Sequence, residues 1–129
     1  MSRTEHSLRV EAVVLRHMDW GEADRLLTLF SREAGKLRAV AKGVRKVRSR
    51  KAGHLEPFTR SSLQLARGRD LLIITQAETI DPYLPIHANL ERTGLAGYVT
   101  EILDRFVIEE GSPHPALYRL LADTLQRLS

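Results

Sequence analysis

Apolar and polar residues alternate in five segments of the first eighty residues, and this period of two predicts five β-strands. The first segment shows the pattern, with Leu8, Val10, Ala12 and Val14 on one face and Arg9 and Glu11 on the other. Clusters of turn-forming residues separate the segments. The predicted strands span residues 7–18, 25–31, 36–42, 58–66 and 71–80.

The connections between these strands favour one type of barrel. Residues 32–35 form a hairpin connection in which Gly35 supplies a positive φ, and residues 67–70 form a second hairpin turn. The link between the third and fourth strands is longer and irregular, with a short turn of helix before Pro57. Five antiparallel strands with this link predict an OB-fold barrel over residues 1–80, with an SH3-like barrel as the alternative.

After Pro82 the apolar spacing changes from two residues to that of a helix. One helix is predicted over 86–110, ended by the Gly111-Ser112-Pro113 sequence, and a second follows it. The apolar stripe of the second helix comprises Leu117, Leu120, Leu121, Leu125 and Leu128.

The predicted fold class is therefore mainly β with a helical appendage: a five-stranded OB-fold barrel followed by two α-helices. Residues 81–129 are predicted to form the start of an α-helical domain. The apolar stripe of its second helix continues to the last residues of the sequence. We therefore expect the natural protein to continue and this helical domain to be incomplete. Because two helices cover such stripes poorly, we expect them to pack against the barrel, a further C-terminal portion or a second copy.

Composition narrows the class of protein. The chain has 129 residues and is 43% hydrophobic, which is enough for a folded core. Cysteine is absent, which excludes disulfides and thiolate metal ligands. The N-terminal residues lack the apolar run of a signal peptide, and no segment has the length of a membrane span. These observations predict a soluble intracellular protein without a membrane partner.

Charge is divided unevenly along the chain. Residues 1–70 hold 16 basic and 8 acidic side chains, whereas residues 71–129 hold 4 and 8. Residues 36–51, here called the basic stretch, contain eight Lys or Arg and no acid. In the predicted third strand Lys36, Arg38 and Lys42 point outward. Such a strand face and loop of one charge sign suit a polyanion. The alternative is a solvated loop that only keeps the protein soluble.

The basic stretch supplies the predicted DNA contacts, because Lys and Arg make the phosphate contacts that dominate sequence-independent affinity. We expect its loop to be exposed, so that removing Arg45 and Lys46 should leave stability nearly unchanged. Arg67 and Arg69 are weaker candidates. The predicted DNA-binding residues are Lys36, Arg38, Lys42, Arg45, Lys46, Arg48, Arg50, Lys51 and Arg60.

Aromatic residues add little to this interface. The chain has seven, and the alternation predicts that four of them belong to the core: Phe30, Phe58, Tyr98 and Phe106. Trp20 lies in the first turn, where it could stack on a base or close one end of the barrel.

No catalytic constellation is recognisable. Glu22 and Asp24 fit a turn capped by its own side chains better than a catalytic or metal-binding pair. The histidines show no ligand spacing, and no glycine-rich loop suits a phosphate. The sequence therefore predicts a protein that is not an enzyme and has no metal or cofactor. The five histidines are His6, His17, His54, His87 and His114.

The run from Val14 to Arg50 strongly resembles the bacterial RecO family of DNA repair proteins. The resemblance is carried by Gly-Glu-x-Asp at 21–24, Leu-Phe-Ser-x-Glu-x-Gly-Lys at 29–36, Ala-Lys-Gly-Val-Arg at 41–45 and Ser-Arg at 49–50. Leu-Glu-Pro-Phe at 55–58 and Arg-Asp-Leu-Leu at 69–72 continue it. The match extends to residue 80, and the later helices agree only in kind.

This resemblance implies an N-terminal OB-fold and a helical domain, with binding to single- and double-stranded DNA. It also implies strand annealing and recombinase loading together with RecR, on DNA coated by single-stranded DNA-binding protein. A place at the nucleoid in the bacterial cytoplasm follows from it. Many relatives carry a cysteine zinc site further along, which this sequence cannot form.

Two other functions stay open at this point. An RNA-binding OB module of the translation apparatus would use the same cations. An adaptor could instead dock acidic peptides, such as the tail of single-stranded DNA-binding protein, on the basic face.

Overall fold

A computed structural model describes residues 7–129, and its first part consists of five β-strands. The first six residues of the predicted 1–80 domain, with His6, lie outside the described residues. All five predicted strands are confirmed to within a few residues at their ends. They are β1 (Ser7–Trp20), β2 (Asp24–Ser31), β3 (Gly35–Ala41), β4 (Arg60–Arg67) and β5 (Leu72–Asp81), with a 3-10 helix at Ala52–Leu55 before β4.

The strands close into a barrel in the order β1-β2-β3-β5-β4. Four of the pairings are antiparallel, and a short parallel pairing of β3 with β5 completes the circle. The long β1 makes closure possible, because its first half pairs with β4 and its second half with β2. A register shift between Val14 and Arg16 bends β1 where it passes from one partner to the other. This architecture confirms the OB-fold.

Apolar side chains from alternate strand positions fill the interior of the barrel. Val10, Ala12 and Val14 of β1 face inward, as predicted, and meet Leu63 and Leu65 of β4. β2 departs from simple alternation, because both of its faces are buried. Leu27 and Leu29 point into the barrel, whereas Phe30 lies on the outside and belongs to a second core.

Three helices follow the barrel: α1 (Leu84–His87), α2 (Leu90–Phe106) and α3 (Pro115–Leu128). The prediction of a single helix over 86–110 is wrong, because the helical backbone is interrupted at Asn89. Asn89 is extended, and its side-chain oxygen accepts a hydrogen bond from the Arg92 N–H at 3.0 Å. This is an ordinary N-cap, and the apolar spacing alone did not reveal it.

α2 also ends four residues before the predicted terminus. Val107 is extended and 6% exposed, since it turns back to pack in the second core. The chain then follows β3, where the Gly111 N–H donates to the Lys36 carbonyl at 2.9 Å. This return brings Ser112 so close to Gly35 that a Cβ on Gly35 would lie 2.0 Å from the Ser112 carbonyl oxygen. Gly35 also has a φ of +66°, as predicted for the hairpin.

The second core lies between the barrel and the helices. Val13, Leu15 and Phe30 on the outside of β1 and β2 pack against helical residues that include Leu121 and Leu125. The helices therefore pack against the barrel, which is one of the expected arrangements. The predicted α3 stripe is wrong at Leu120, which is 61% exposed, because Tyr118 takes the buried position instead.

One face of α2 remains apolar and exposed. Leu95, Tyr98, Ile102 and Phe106 recur at helical spacing, and each is at least 47% exposed. The predicted core positions of Tyr98 and Phe106 are therefore wrong. Phe30 is fully buried, and Phe58 packs at the edge of the second core.

A polar cluster joins the barrel to the helices beside the second core. The Tyr118 hydroxyl of α3 donates to Glu11 Oε2 of β1 at 2.8 Å, and Arg60 Nη1 of β4 donates to the same oxygen at 3.0 Å. Arg60 Nε also donates to the Tyr83 hydroxyl at 3.2 Å. Arg32 Nη1 lies 3.4 Å from Glu11 Oε1. The carboxylate is thus held by groups from three parts of the chain.

Replacing Tyr118 by Phe should lower the free energy of unfolding by about 1.5 to 3 kcal/mol, because a largely buried carboxylate loses a donor. Urea denaturation followed by circular dichroism measures this. Tyr98→Phe is the matched control, since the Tyr98 ring is 66% exposed, and it should leave stability unchanged. Equal midpoints for the two variants would show that the Tyr118–Glu11 hydrogen bond does not stabilise the junction.

Candidate nucleic-acid interface

The basic stretch occupies β3 and the connection that follows it. We call residues 42–51 the cationic loop. Gly43, its second residue, has a φ of +68° and turns the chain away from the sheet. Val44 anchors it in the barrel core at 2% exposure, whereas Val47 is fully exposed at its tip. The loop is therefore held at one end and presents its other side chains to solvent.

Lys36 of β3 bonds to the end of α2 and the residue that follows it. Its ammonium lies 2.6 Å from Asp104 Oδ1 and donates to the carbonyl oxygens of Asp104 and Val107, at 2.9 and 3.1 Å. Both side chains of the pair are more than four-fifths buried. Lys36 lies on the outer face of β3, as predicted, but the helices cover that face. Its predicted DNA contact would require these bonds to break.

Arg38 has a weaker partner. Its Nε lies 2.9 Å from Glu110 Oε2, and both side chains are close to half exposed. Such pairs typically contribute less than about 1 kcal/mol. A phosphate group can therefore compete for this guanidinium, and Arg38 stays a candidate.

Arg45 acts as a clamp between two loops. Its guanidinium donates to the carbonyl oxygens of Asp24 and Gly21, at 3.0 and 2.7 Å, and to Asp19 Oδ2 at 3.2 Å. From the other side, Asp24 Oδ1 accepts the Gly43 N–H at 2.7 Å. The expectation that Arg45 is a freely exposed loop residue is wrong, because these bonds tie the β1–β2 turn to the cationic loop. The Asp24 carboxylate thus has a structural role.

The remaining loop cations are available. Four of them are exposed and have no ion pair within the part of the chain that the structure describes: Lys42, Lys46, Arg48 and Arg50. Lys51 is half-buried, and its Nζ donates to the Ile74 carbonyl at 3.3 Å. These five side chains, together with Arg38, form the accessible part of the predicted DNA-binding set.

Arg60 belongs to the polar cluster that joins barrel and helices. Burial would lower the pKa of its guanidinium, but the hydrogen bonds to Tyr83 and Glu11 outweigh burial and raise it. For the Glu11 carboxyl the signs are opposite. Burial alone would raise its pKa, but hydrogen bonds from Tyr118 and Arg60 hold the pKa below its usual value. Burial and the Glu11 carboxylate together raise the pKa of Tyr118. Arg60 is thus engaged in a structural ion pair.

Sequence reasoning missed Arg9. It is exposed on β1, pairs in register with Gln64 of β4, and donates from Nη1 to the Ser62 hydroxyl at 2.8 Å. Together with Arg50 and Lys51 it lines a cleft of about 360 Å³ on the barrel wall. Because Arg9 stands alone in the sequence, no charge run marks it, and only the strand pairing brings it to the other cations.

The weaker candidates lie elsewhere on the surface. Arg67 and Arg69 are exposed at the turn between β4 and β5. Trp20 is 42% exposed at the end of β1, so both of the roles considered for it remain predictions.

A larger groove, of about 670 Å³, lies between the barrel and α2. Leu15 and Phe58 contribute apolar surface, and Gly97 leaves room opposite the Phe58 ring. Arg16 and Arg105 stand at this groove with exposed guanidinium groups. Each is paired with a carboxylate that also lines the groove: Arg16 with Asp104 at 3.1 Å and Arg105 with Glu101 at 2.9 Å.

Residues 7–129 contain no cluster of metal-ligating side chains and no candidate membrane helix. In that range no three His, Asp or Glu side chains are grouped so that they could hold a metal ion. No helix there is long and apolar enough to cross a membrane.

A closed OB-type barrel that carries an exposed cationic loop and packs against a helical extension defines a basic OB-fold protein. Comparison with known families makes this specific. The family described as "Recombination protein O N terminal" matches residues 1–83, and "Recombination protein O C terminal" matches residues 87–129. The chain belongs to the RecO family of DNA repair proteins.

Individual relatives agree with this assignment. The DNA repair protein RecO of Pelotomaculum thermopropionicum is 44% identical over 121 residues, which cover 94% of this chain and 47% of that protein. The DNA repair protein RecO of Bifidobacterium adolescentis is 48% identical over 120 residues, covering 92% and 49%. The chain therefore spans about half the length of these relatives.

Replacing Arg45 by Ala should lower the free energy of unfolding by about 1 to 3 kcal/mol, because three side-chain hydrogen bonds are lost. Lys46→Ala is the neighbouring control and should change stability by less than about 0.5 kcal/mol. Thermal or urea denaturation of both variants measures the difference. If the two variants are equally stable, the clamp contributes nothing to the fold.

The stability that Glu11 contributes should depend on pH. Because folding lowers its pKa, this stability is present above the unfolded value near 4.5 and is lost as pH falls through the folded pKa. Wild type should therefore exceed Glu11→Gln in unfolding free energy at pH 7, with a gap that narrows below about pH 4.5. Urea titrations at pH 7, 5, 4 and 3 measure the gap. A gap that is constant over this range would contradict the assignment.

Proposed function

We propose that this chain is a non-enzymatic DNA-binding and strand-annealing module of a recombination mediator. The observation that carries the proposal is the cationic loop, in which Lys42, Lys46, Arg48 and Arg50 are exposed without an ion pair in the described residues. Charges of one sign held this closely repel one another until a polyanion neutralises them. Membership of a family of DNA repair proteins makes DNA the relevant polyanion.

Annealing of this kind requires only electrostatics. Two complementary strands repel each other through their phosphates, and cations that neutralise both backbones allow the bases to approach. Phosphate contacts carry no sequence information, so the same surface serves single- and double-stranded DNA. No acid-base or metal chemistry is needed, in agreement with a role that is not enzymatic.

A recombination mediator acts together with other proteins. We infer that the module acts at the nucleoid, in the bacterial cytoplasm, on DNA covered by single-stranded DNA-binding protein, and that it loads the recombinase together with RecR. Membership of the RecO family supports this inference. The helical part, whose α2 presents an apolar face, is the part suited to protein contacts.

An adaptor for acidic peptides is the second candidate function. The groove between barrel and α2 supports it, because apolar surface from Leu15 and Phe58 lies beside the exposed guanidinium groups of Arg16 and Arg105. An acidic peptide would compete there with Asp104 and Glu101, the present partners of these two arginines. An acidic peptide with apolar side chains, such as the tail of single-stranded DNA-binding protein, fits such a surface. This groove involves none of the loop cations, so the two functions can be separated by mutation.

Binding to single-stranded DNA should depend strongly on salt. If the four free loop cations each contact one phosphate, log K against log[salt] should have a slope of about −3. Lys46→Ala with Arg48→Ala should reduce that slope by about 1.4 and weaken binding equally for unrelated sequences. Fluorescence anisotropy of labelled oligonucleotides over a range of salt concentrations measures both.

Arg119→Ala with Arg127→Ala is the matched control, because it removes the same charge from exposed positions on α3. The control should leave the slope unchanged. A loop variant with wild-type slope and affinity would show that the loop is not the DNA site. Loss of acidic-peptide binding in an Arg16→Ala with Arg105→Ala variant whose DNA binding is intact would favour the adaptor. Competition by RNA of the same sequence that exceeds competition by DNA would favour the translation module.

A further inference from the structure

We propose that the cleft on the barrel wall lined by Arg9, Arg50 and Lys51 binds a phosphodiester group of a nucleic-acid strand that continues from the cationic loop. The inference rests on the proposed function and adds a second, recessed contact to it. It also assigns a role to Arg9, which lies 27 residues before the basic stretch begins.

The cleft is assembled from four separate segments of the chain. Arg9 comes from β1, Ser62 from β4, Gln76 from β5, and Arg50 and Lys51 from the end of the cationic loop. Antiparallel pairing of β1 with β4 sets Arg9 beside Ser62, and their hydrogen bond of 2.8 Å orients the guanidinium. The cations therefore meet through the topology of the barrel.

The cations of the cleft have hydrogen-bond donors that are not used within the described residues. The guanidinium of Arg9 has five N–H donors, and one of them bonds to Ser62. Lys51 uses one donor on the Ile74 carbonyl, and Arg50 is exposed without an ion pair in the described residues. Glu78 is the one carboxylate among the described residues that line the cleft. Three cations facing one anion leave a net positive site.

His54 adds a further polar group. The Thr79 N–H donates to His54 Nδ1 at 3.1 Å, and the Thr79 hydroxyl lies 2.6 Å from the same nitrogen. These contacts fix the position of the ring. His54 is among the residues that line the cleft, so it is a further candidate partner for an anionic oxygen.

Donor chemistry and size identify the ligand. Fork-shaped guanidinium groups with a lysine and neutral donors suit the oxygens of a phosphate group. The volume of about 360 Å³ lies at the lower end of the range for small-ligand sites, about 300 to 1,000 Å³. It suits one nucleotide-sized group and is too small for a helix. Arg50 and Lys51 belong to both the cleft and the loop, so one strand can pass from the loop into the cleft.

The first experiment measures the salt dependence of oligonucleotide binding for Arg9→Gln with Lys51→Gln in the full chain. The slope of log K against log[salt] should fall by about 1.4. Glu78→Gln should tighten binding, because it removes the opposing carboxylate. Arg119→Gln on α3 is the control for charge and should have no effect. A double variant with unchanged slope and affinity would overturn the proposal.

The second experiment locates the ligand by NMR. The Arg9 Nε–H resonance is followed during titration with a short oligothymidylate and, separately, with inorganic phosphate. A shift that saturates with the oligonucleotide supports the proposal. A shift with inorganic phosphate alone would overturn it and indicate a site for free anions. If no shift occurs with either titrant, the cleft is not a phosphate site.

These outcomes separate the two proposals. If Lys46 and Arg48 variants lose salt dependence while Arg9 and Lys51 variants keep it, the loop binds DNA and the cleft does not. If no variant changes the slope, both proposals fail. Circular dichroism and urea denaturation of Arg9→Gln confirm that its fold is intact, since Arg9 is exposed and makes one hydrogen bond to Ser62.

Discussion

Burial of both faces of β2 and of the middle of β1, residues 10–15, is the constraint on which the rest of the structure depends. The inner faces fill the barrel, and the outer faces, through Val13, Leu15 and Phe30, form the floor of a second core. A barrel with such an apolar outer surface cannot remain exposed to water without a cost of about 25 cal/mol per Å². The helices are therefore required as a cover, and their position follows from where the barrel is apolar on the outside.

This covering divides the cations into two groups. Where the helices or turns approach the barrel, cations are bonded: Lys36 to Asp104, Arg45 to the β1–β2 turn, and Arg60 to Glu11. The other cations of the cationic loop, and Arg9 on the barrel wall, form no ion pair within the described residues and remain available. Sequence alone gives all these residues the same charge. Only the fold distinguishes cations that hold the protein together from those that can hold a ligand.

The strands could be predicted because alternation reports burial directly, and the OB-type barrel followed from strand number and one long link. The helix break at Asn89 and the early end at Phe106 could not be read from apolar spacing, since local capping and a returning chain decide them. Within the candidate site, the cationic loop was predictable because its Lys and Arg residues lie close together in the sequence. Arg9 was not, because it reaches the loop only through strand pairing.

The contact between Gly35 and Ser112 has a consequence for how this protein can change over evolution. The hairpin between β2 and β3 and the segment after α2 touch backbone to backbone, with no room for a side chain at Gly35. A lengthening of either segment must be matched by a change in the other. Two stretches separated by more than seventy residues thus constrain each other's length, although one belongs to the barrel and the other to the helical region.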